Sequence, residues 1–103
     1  MTSKTELGIN ELLQEQRTGI IAIAQKHGAY NVRVFGSVAR GEATEESDID
    51  FLVDYDFGKI TSWFPAGLLI DLEQLPNRKV DIATMDMLKE RIRDHVLHEA
   101  VML

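Results

Sequence analysis

The chain has 103 residues and a formal charge of −6, from 17 acidic and 11 basic side chains, and it contains no cysteine. Disulfides, thiolate metal sites and cysteine nucleophiles are therefore excluded. The acidic balance argues against non-specific nucleic-acid binding, which needs a basic footprint.

At this length, and with 45% apolar residues, a single domain over residues 1–103 is expected, burying roughly 60–70% of its unfolded surface. The opening stretch MTSKTELGINELLQEQ shows no basic segment running into an apolar one. No apolar run approaches the roughly 20 residues of a membrane span. A cytoplasmic protein that does not engage membranes is the expectation.

Residues 5–27 read as a helix, because Ile9, Leu12, Leu13, Ile20, Ile23 and Ala24 recur at spacings of three and four. Ser3 and Glu6 have the spacing of a capping box, and Gly28 supplies the stop. Residues 31–35 (NVRVF) form a short alternating strand that runs into a Gly36-Ser37 turn. Residues 39–47 carry Gly41 and three glutamates and read as a helical turn followed by an exposed loop.

A second strand is expected over residues 48–55. A helix should follow over residues 63–75, with Ser62 as cap, Pro65 in its first turn and Pro76-Asn77-Arg78 as the turn beyond it. Residues 79–84 (KVDIAT) make a third strand. A last helix, capped by Thr84 or Asp86, should run to Leu103 with Leu88, Ile92, Val96 and Ala100 every four residues. The order α-β-β-α-β-α predicts an α/β (α+β) fold, a small mixed sheet of at least three strands with helices packed on one face.

The second strand poses the chemical question, since Asp is a poor strand former yet occupies positions 48, 50, 54 and 56. Alternation puts Ile49, Phe51, Val53 and Tyr55 on one face and Asp48, Asp50, Leu52 and Asp54 on the other. By the same parity Asp81 lies opposite Val80 and Ile82. If the third strand runs alongside the second, Asp48, Asp50 and Asp81 share a face.

Two like charges about 4 Å apart repel by roughly 1 kcal/mol in bulk water and roughly 4 kcal/mol at an effective dielectric near 20. A domain's whole stability is roughly 5–15 kcal/mol. A divalent cation removes that repulsion, and hard oxygen ligands with an open side suit Mg²⁺ or Mn²⁺ completed by phosphate oxygens. Bare amides and a hydroxyl at Gly36-Ser37 suit the phosphates themselves. The rival explanation is an edge strand whose charges discourage aggregation, which leaves the Gly-Ser spacing and Asp81 as coincidence.

Gly36-Ser37, ten residues, then Asp48-Ile49-Asp50 resembles the G-S-x10-D-x-D signature of the nucleotidyltransferase superfold related to DNA polymerase beta. Asp81 stands where that family has its third carboxylate. The strings VFGSVARGEATEESDIDFLVDYD and KVDIATMDMLKERIRDHVLHEAVML are similar to the minimal nucleotidyltransferase (MNT) group, with the resemblance starting near residue 5. Many of that group resemble antitoxins of type VII HEPN–MNT toxin–antitoxin systems, which transfer AMP from ATP to a tyrosine of the HEPN ribonuclease toxin.

The resemblance implies that Asp48, Asp50 and Asp81 are catalytic and bind metal, two Mg²⁺ ions being expected and Mn²⁺ an alternative. Asp81 would also help to activate the attacking hydroxyl. Gly36 and Ser37 would cradle the β- and γ-phosphates of ATP. Arg40 would neutralise the triphosphate, its other reading being an ion pair with Glu42 or Glu45. The partner implied is a cognate HEPN toxin in a hetero-oligomer. The rival functions are nucleotide transfer to a small molecule or RNA end, and a binding-only antitoxin that occludes its toxin.

Several residues stay outside the site. Asp54 and Asp56 read as strand-end solvation or a turn cap, and His95 and His98 as a polar helix face. His27 reads as favourable charge near a helix end, and Trp63 and Phe64 as core or helix-start packing.

Overall fold

A computed structural model describes residues 8–75 and 78–103. The proposed Ser3–Glu6 capping box and the turn residues Pro76 and Asn77 lie outside the described residues.

Helix α1 (Ile9–Leu13) passes through a 3-10 turn at Gln14–Gln16 into α2 (Arg17–Lys26). The continuous helix expected over residues 5–27 is thus interrupted. At the break the Gln16 side chain donates Nε2–H to the Leu75 carbonyl at 2.6 Å. A Cβ on Gly19 would stand only 3.1 Å from a Leu75 methyl. The break thus coincides with contacts to a segment far along the chain. Gly28, at φ +81°, ends α2 as expected.

Strand β1 (Ala29–Phe35) begins two residues before the expected start and pairs antiparallel with β2 (Ile49–Tyr55). Its register slips between Tyr30 and Arg33, where Asn31 takes φ +51°. Asp54 holds the slip, accepting from Asn31 Nδ2 at 3.0 Å and from Arg33 Nη2 at 2.8 Å. Asp56 caps the next turn through the Gly58 amide at 3.0 Å.

Helix α3 (Gly36–Ala39) follows β1 directly. Helix α4 (Ala66–Gln74) starts three residues later than predicted. A residue before proline is steered away from helical angles, which disfavours Phe64 as an interior helical position. Thr61, rather than Ser62, accepts the Trp63 amide, at 3.2 Å.

Helix α4 carries the chain across to β3 (Val80–Ala83), which lies parallel to β2. A 3-10 turn (Met85–Met87), opened by Thr84, precedes α5 (Glu90–Glu99). The last helix does not reach Leu103. Ala100 turns extended, and β4 (Val101–Met102) pairs antiparallel with the free edge of β1. The Leu103 amide bonds the Val32 carbonyl at 2.9 Å, and its side chain enters the core.

The mixed sheet has the order β3-β2-β1-β4, so the predicted α/β (α+β) class holds. Val34, Ile49, Phe51, Val53 and Val80 pack under Leu13, Ile20, Ala24, Leu68 and Leu72 of α1, α2 and α4. The expectation of helices on one face holds for these three. Helix α5 lies on the other face, where Leu88 and Val96 cover Leu52, with Phe35 and Ala83 at the margin. Ile92, in the predicted stripe, is 49% exposed.

Candidate active site

Strand β2 emerges from the loop at Asp48 and presents Asp50 two residues on, while Ile49 and Phe51 anchor the opposite face in the core. The parallel register sets Asp81 beside Asp50 and Val80 beside Ile49. Residues in register share a face, so Asp81 joins Asp50 instead of pointing into the helical layer. Across the other edge of β2, Phe35 is opposite Asp50, which brings the β1–α3 junction to the same spot.

Burial pushes the Asp50 carboxyl up to about 6, reinforced by the negative charges of Asp81, Asp48 and Glu99; Arg40 opposes the shift. Asp48 and Asp81 are therefore close enough to Asp50 for their charges to oppose its ionisation.

Gly36 begins α3 at φ +76° and lies against Asp50. A Cβ there would collide with the Asp50 carboxylate, so the position requires glycine for both conformation and space. Ser37 follows in the same short turn, and Val38 pins it from below as a fully buried side chain. The Glu42 amide returns to the Ser37 carbonyl at 2.8 Å. Arg78 donates to the carbonyls of Thr44 and Ser47, both at 2.8 Å, fastening the loop that delivers Asp48.

Arg40 stands at the end of α3. Its Nε donates to Glu42 at 3.0 Å, the pairing weighed from sequence, and its Nη1 donates to Glu99 Oε1 at 2.6 Å. The other Glu99 oxygen accepts the Gly36 amide at 2.6 Å. Sequence reasoning missed Glu99. The available signal was a carboxylate in the last turn of a helix, where the macrodipole disfavours negative charge and some compensation is required.

Among the described residues no group of three or more Asp, Glu, His or Cys side chains is arranged so that it could hold a metal ion. By donor chemistry alone, the carboxylate oxygens of Asp48, Asp50 and Asp81 are of the hard kind that a divalent ion takes. Asp50 and Asp81 are register neighbours with Asp48 beside them, and their mutual repulsion is what such an ion relieves. A groove of about 490 Å³ is lined by Ile9, Arg17, Val38, Arg40 and Met102 and by none of the three aspartates.

Other side chains fall outside this corner. Trp63 is 76% exposed and so is not core, whereas Phe64 packs on the core and tilts against Tyr55 with ring centroids 5.2 Å apart. His27 Nε2 meets Asp71 Oδ2 at 2.7 Å and ties α2 to α4. His95 and His98 are exposed on α5. No helix among the described residues is long and apolar enough to cross a membrane.

A nucleotidyltransferase domain family model matches residues 19–103. The chain belongs to the nucleotidyltransferase domain family. A solved structure provisionally described as a minimal nucleotidyltransferase superposes with a TM-score of 0.79 at 45% identity, covering 88% of this chain and 92% of that one. MJ0435 of Methanocaldococcus jannaschii, provisionally named a protein adenylyltransferase, is 37% identical over 92% of this chain and 97% of its own length. The protein adenylyltransferase MntA of Thermococcus cleftensis is 39% identical over 77% of this chain and 79% of its own. This nucleotidyltransferase is thus an enzyme of the minimal type.

Proposed function

We propose that this nucleotidyltransferase transfers AMP from ATP to a protein hydroxyl, a tyrosine of a cognate HEPN ribonuclease toxin, and acts in the cytoplasm as the antitoxin of a type VII system. The observation that carries the reading is the register pairing of Asp50 with Asp81, beside Asp48 and directly against the Gly36 turn. The names of the relatives support a protein acceptor. The proposed assembly is a hetero-oligomer with the toxin.

Asp48, Asp50 and Asp81 would hold two Mg²⁺ ions, with Mn²⁺ as a substitute. When bound, such ions neutralise the triphosphate and the oxygens entering and leaving phosphorus. The Gly36 and Ser37 amides and the Ser37 hydroxyl orient the β- and γ-phosphates. The acceptor oxygen forms a bond to the α-phosphorus as the bond to the bridging oxygen breaks, and pyrophosphate departs. The hydroxyl proton goes to the Asp81 carboxylate. Arg40 offsets the charge that builds on the pyrophosphate.

Incubating the purified protein with α-labelled ATP, Mg²⁺ and the neighbouring HEPN protein tests the proposal. Label should appear on a toxin tyrosine and abolish its ribonuclease activity. Label on a small molecule or RNA end, with none on the toxin, overturns the protein-acceptor reading. Neutralisation retained by Asp48→Asn/Asp50→Asn replaces catalysis with occlusion.

A further inference from the structure

Glu99 is placed where a carboxylate has two reasons not to be. It sits in the last turn of α5, at the negative end of that helix, and its side chain is only 12% exposed. Burial by itself raises its pKa, yet the Arg40 and Gly36 hydrogen bonds more than offset this, so its carboxyl lies below the usual carboxylate range. It is an anion in the nucleotide-free protein at neutral pH.

The anion is held at 2.6 Å by the Gly36 amide and at 2.6 Å by an Arg40 guanidinium nitrogen. One backbone N–H and one guanidinium are also what phosphate oxygens take from such a corner. His95 Nε2, the other basic group facing Glu99, stands at 3.7 Å, and Asp50 faces it as a repelling carboxylate.

We propose that Glu99 is an internal counter-anion that closes the phosphate-binding turn, so that the triphosphate of ATP binds only by displacing it from Gly36 and Arg40. The inference rests on the assignment of Gly36, Ser37 and Arg40 to the triphosphate. Displacement needs no unfolding, because the Glu99 side chain has three rotatable bonds and the half-exposed Arg40 can follow the incoming phosphates. An anion that takes both donors at once displaces Glu99. Return of Glu99 to its two donors after transfer favours release of pyrophosphate.

Calorimetric titration of the full chain with Mg²⁺ and an ATP analogue whose α- and β-phosphates are joined by methylene tests this. Glu99→Gln keeps the shape and loses the charge, and should bind the analogue about tenfold more tightly than wild type, a difference of about 1.4 kcal/mol. Glu99→Asp keeps the charge but is too short to span both donors. It should fall between the two, and it carries the test if the glutamine variant does not fold. Binding that is unchanged or weaker in the variants, with wild type binding normally, overturns the gate alone. Absence of binding in all three overturns the nucleotide-site reading with it.

Discussion

The two faces of β2 do opposite things with alternate residues. Ile49, Phe51 and Val53 are fully buried and hold the sheet to α1, α2 and α4. Asp50, between them in sequence, sits in a corner where burial and three other carboxylates oppose its charge. The first face lowers the free energy of the fold throughout, whereas on the second only Leu52 does so, and the Asp50 position raises it to keep acidic oxygens together. A strand can serve both ends because its side chains alternate, so a rigid core positions the aspartates without sharing their environment.

Exchanging the demands on the two faces should separate activity from stability. The largest effect is expected for Asp50→Asn, which should lower AMP transfer about a thousandfold or more in the labelled-ATP assay while the circular dichroism spectrum stays native. Phe51→Ala, one residue away, should cost about 3–5 kcal/mol in denaturant unfolding, as large-to-small changes in a packed core do. Any transfer activity surviving in its folded fraction should be near normal. If Phe51→Ala instead selectively lost activity at full stability, the division between the faces would be wrong.

Gly36→Ala joins the two faces, since the methyl meets the Asp50 carboxylate and the backbone stays at positive φ. It should cost about 1–3 kcal/mol in thermal unfolding and weaken nucleotide binding as well.

The smallest effect has a sign worth testing. With a folded pKa of about 6 against an ordinary 3.8, Asp50 binds its proton more tightly when the chain is folded. Its favourable contribution is complete below the unfolded value and lost as pH rises through about 6. In metal-free buffer Asp50→Asn should therefore be the more stable protein at pH 7–8, by about 1 kcal/mol after solvent screening of a half-exposed group. That advantage should vanish below about pH 4 in the same melting experiment. Mg²⁺ should narrow the gap at pH 7–8 by stabilising the wild type.

The aspartate face was readable before any coordinates, because strand parity is local and only ten residues separate the Gly-Ser turn from Asp48. Gly28 placed the end of α2 for an equally local reason, whereas Pro65 and the apolar spacings gave the helices but not their bounds. Trp63 shows where such reasoning stops. Its apolar bulk suggested core packing, but whether a turn residue faces inward depends on where the rest of the chain lies.

What the sequence by itself determined is the alternation of β2, the glycine-serine turn before it and the helical stripes, all written within a few residues of one another. Tertiary structure alone decided that Gln16, at the break in the first helix, bonds Leu75, that residues 101–102 complete the sheet and that Leu88 and Val96 cover Leu52. It alone decided that Glu99 reaches Gly36 and Arg40 from the far end of the chain. The physical reason is common to all four. Each depends on which surfaces and hydrogen-bonding edges remain open after other elements have packed, and no local pattern encodes that.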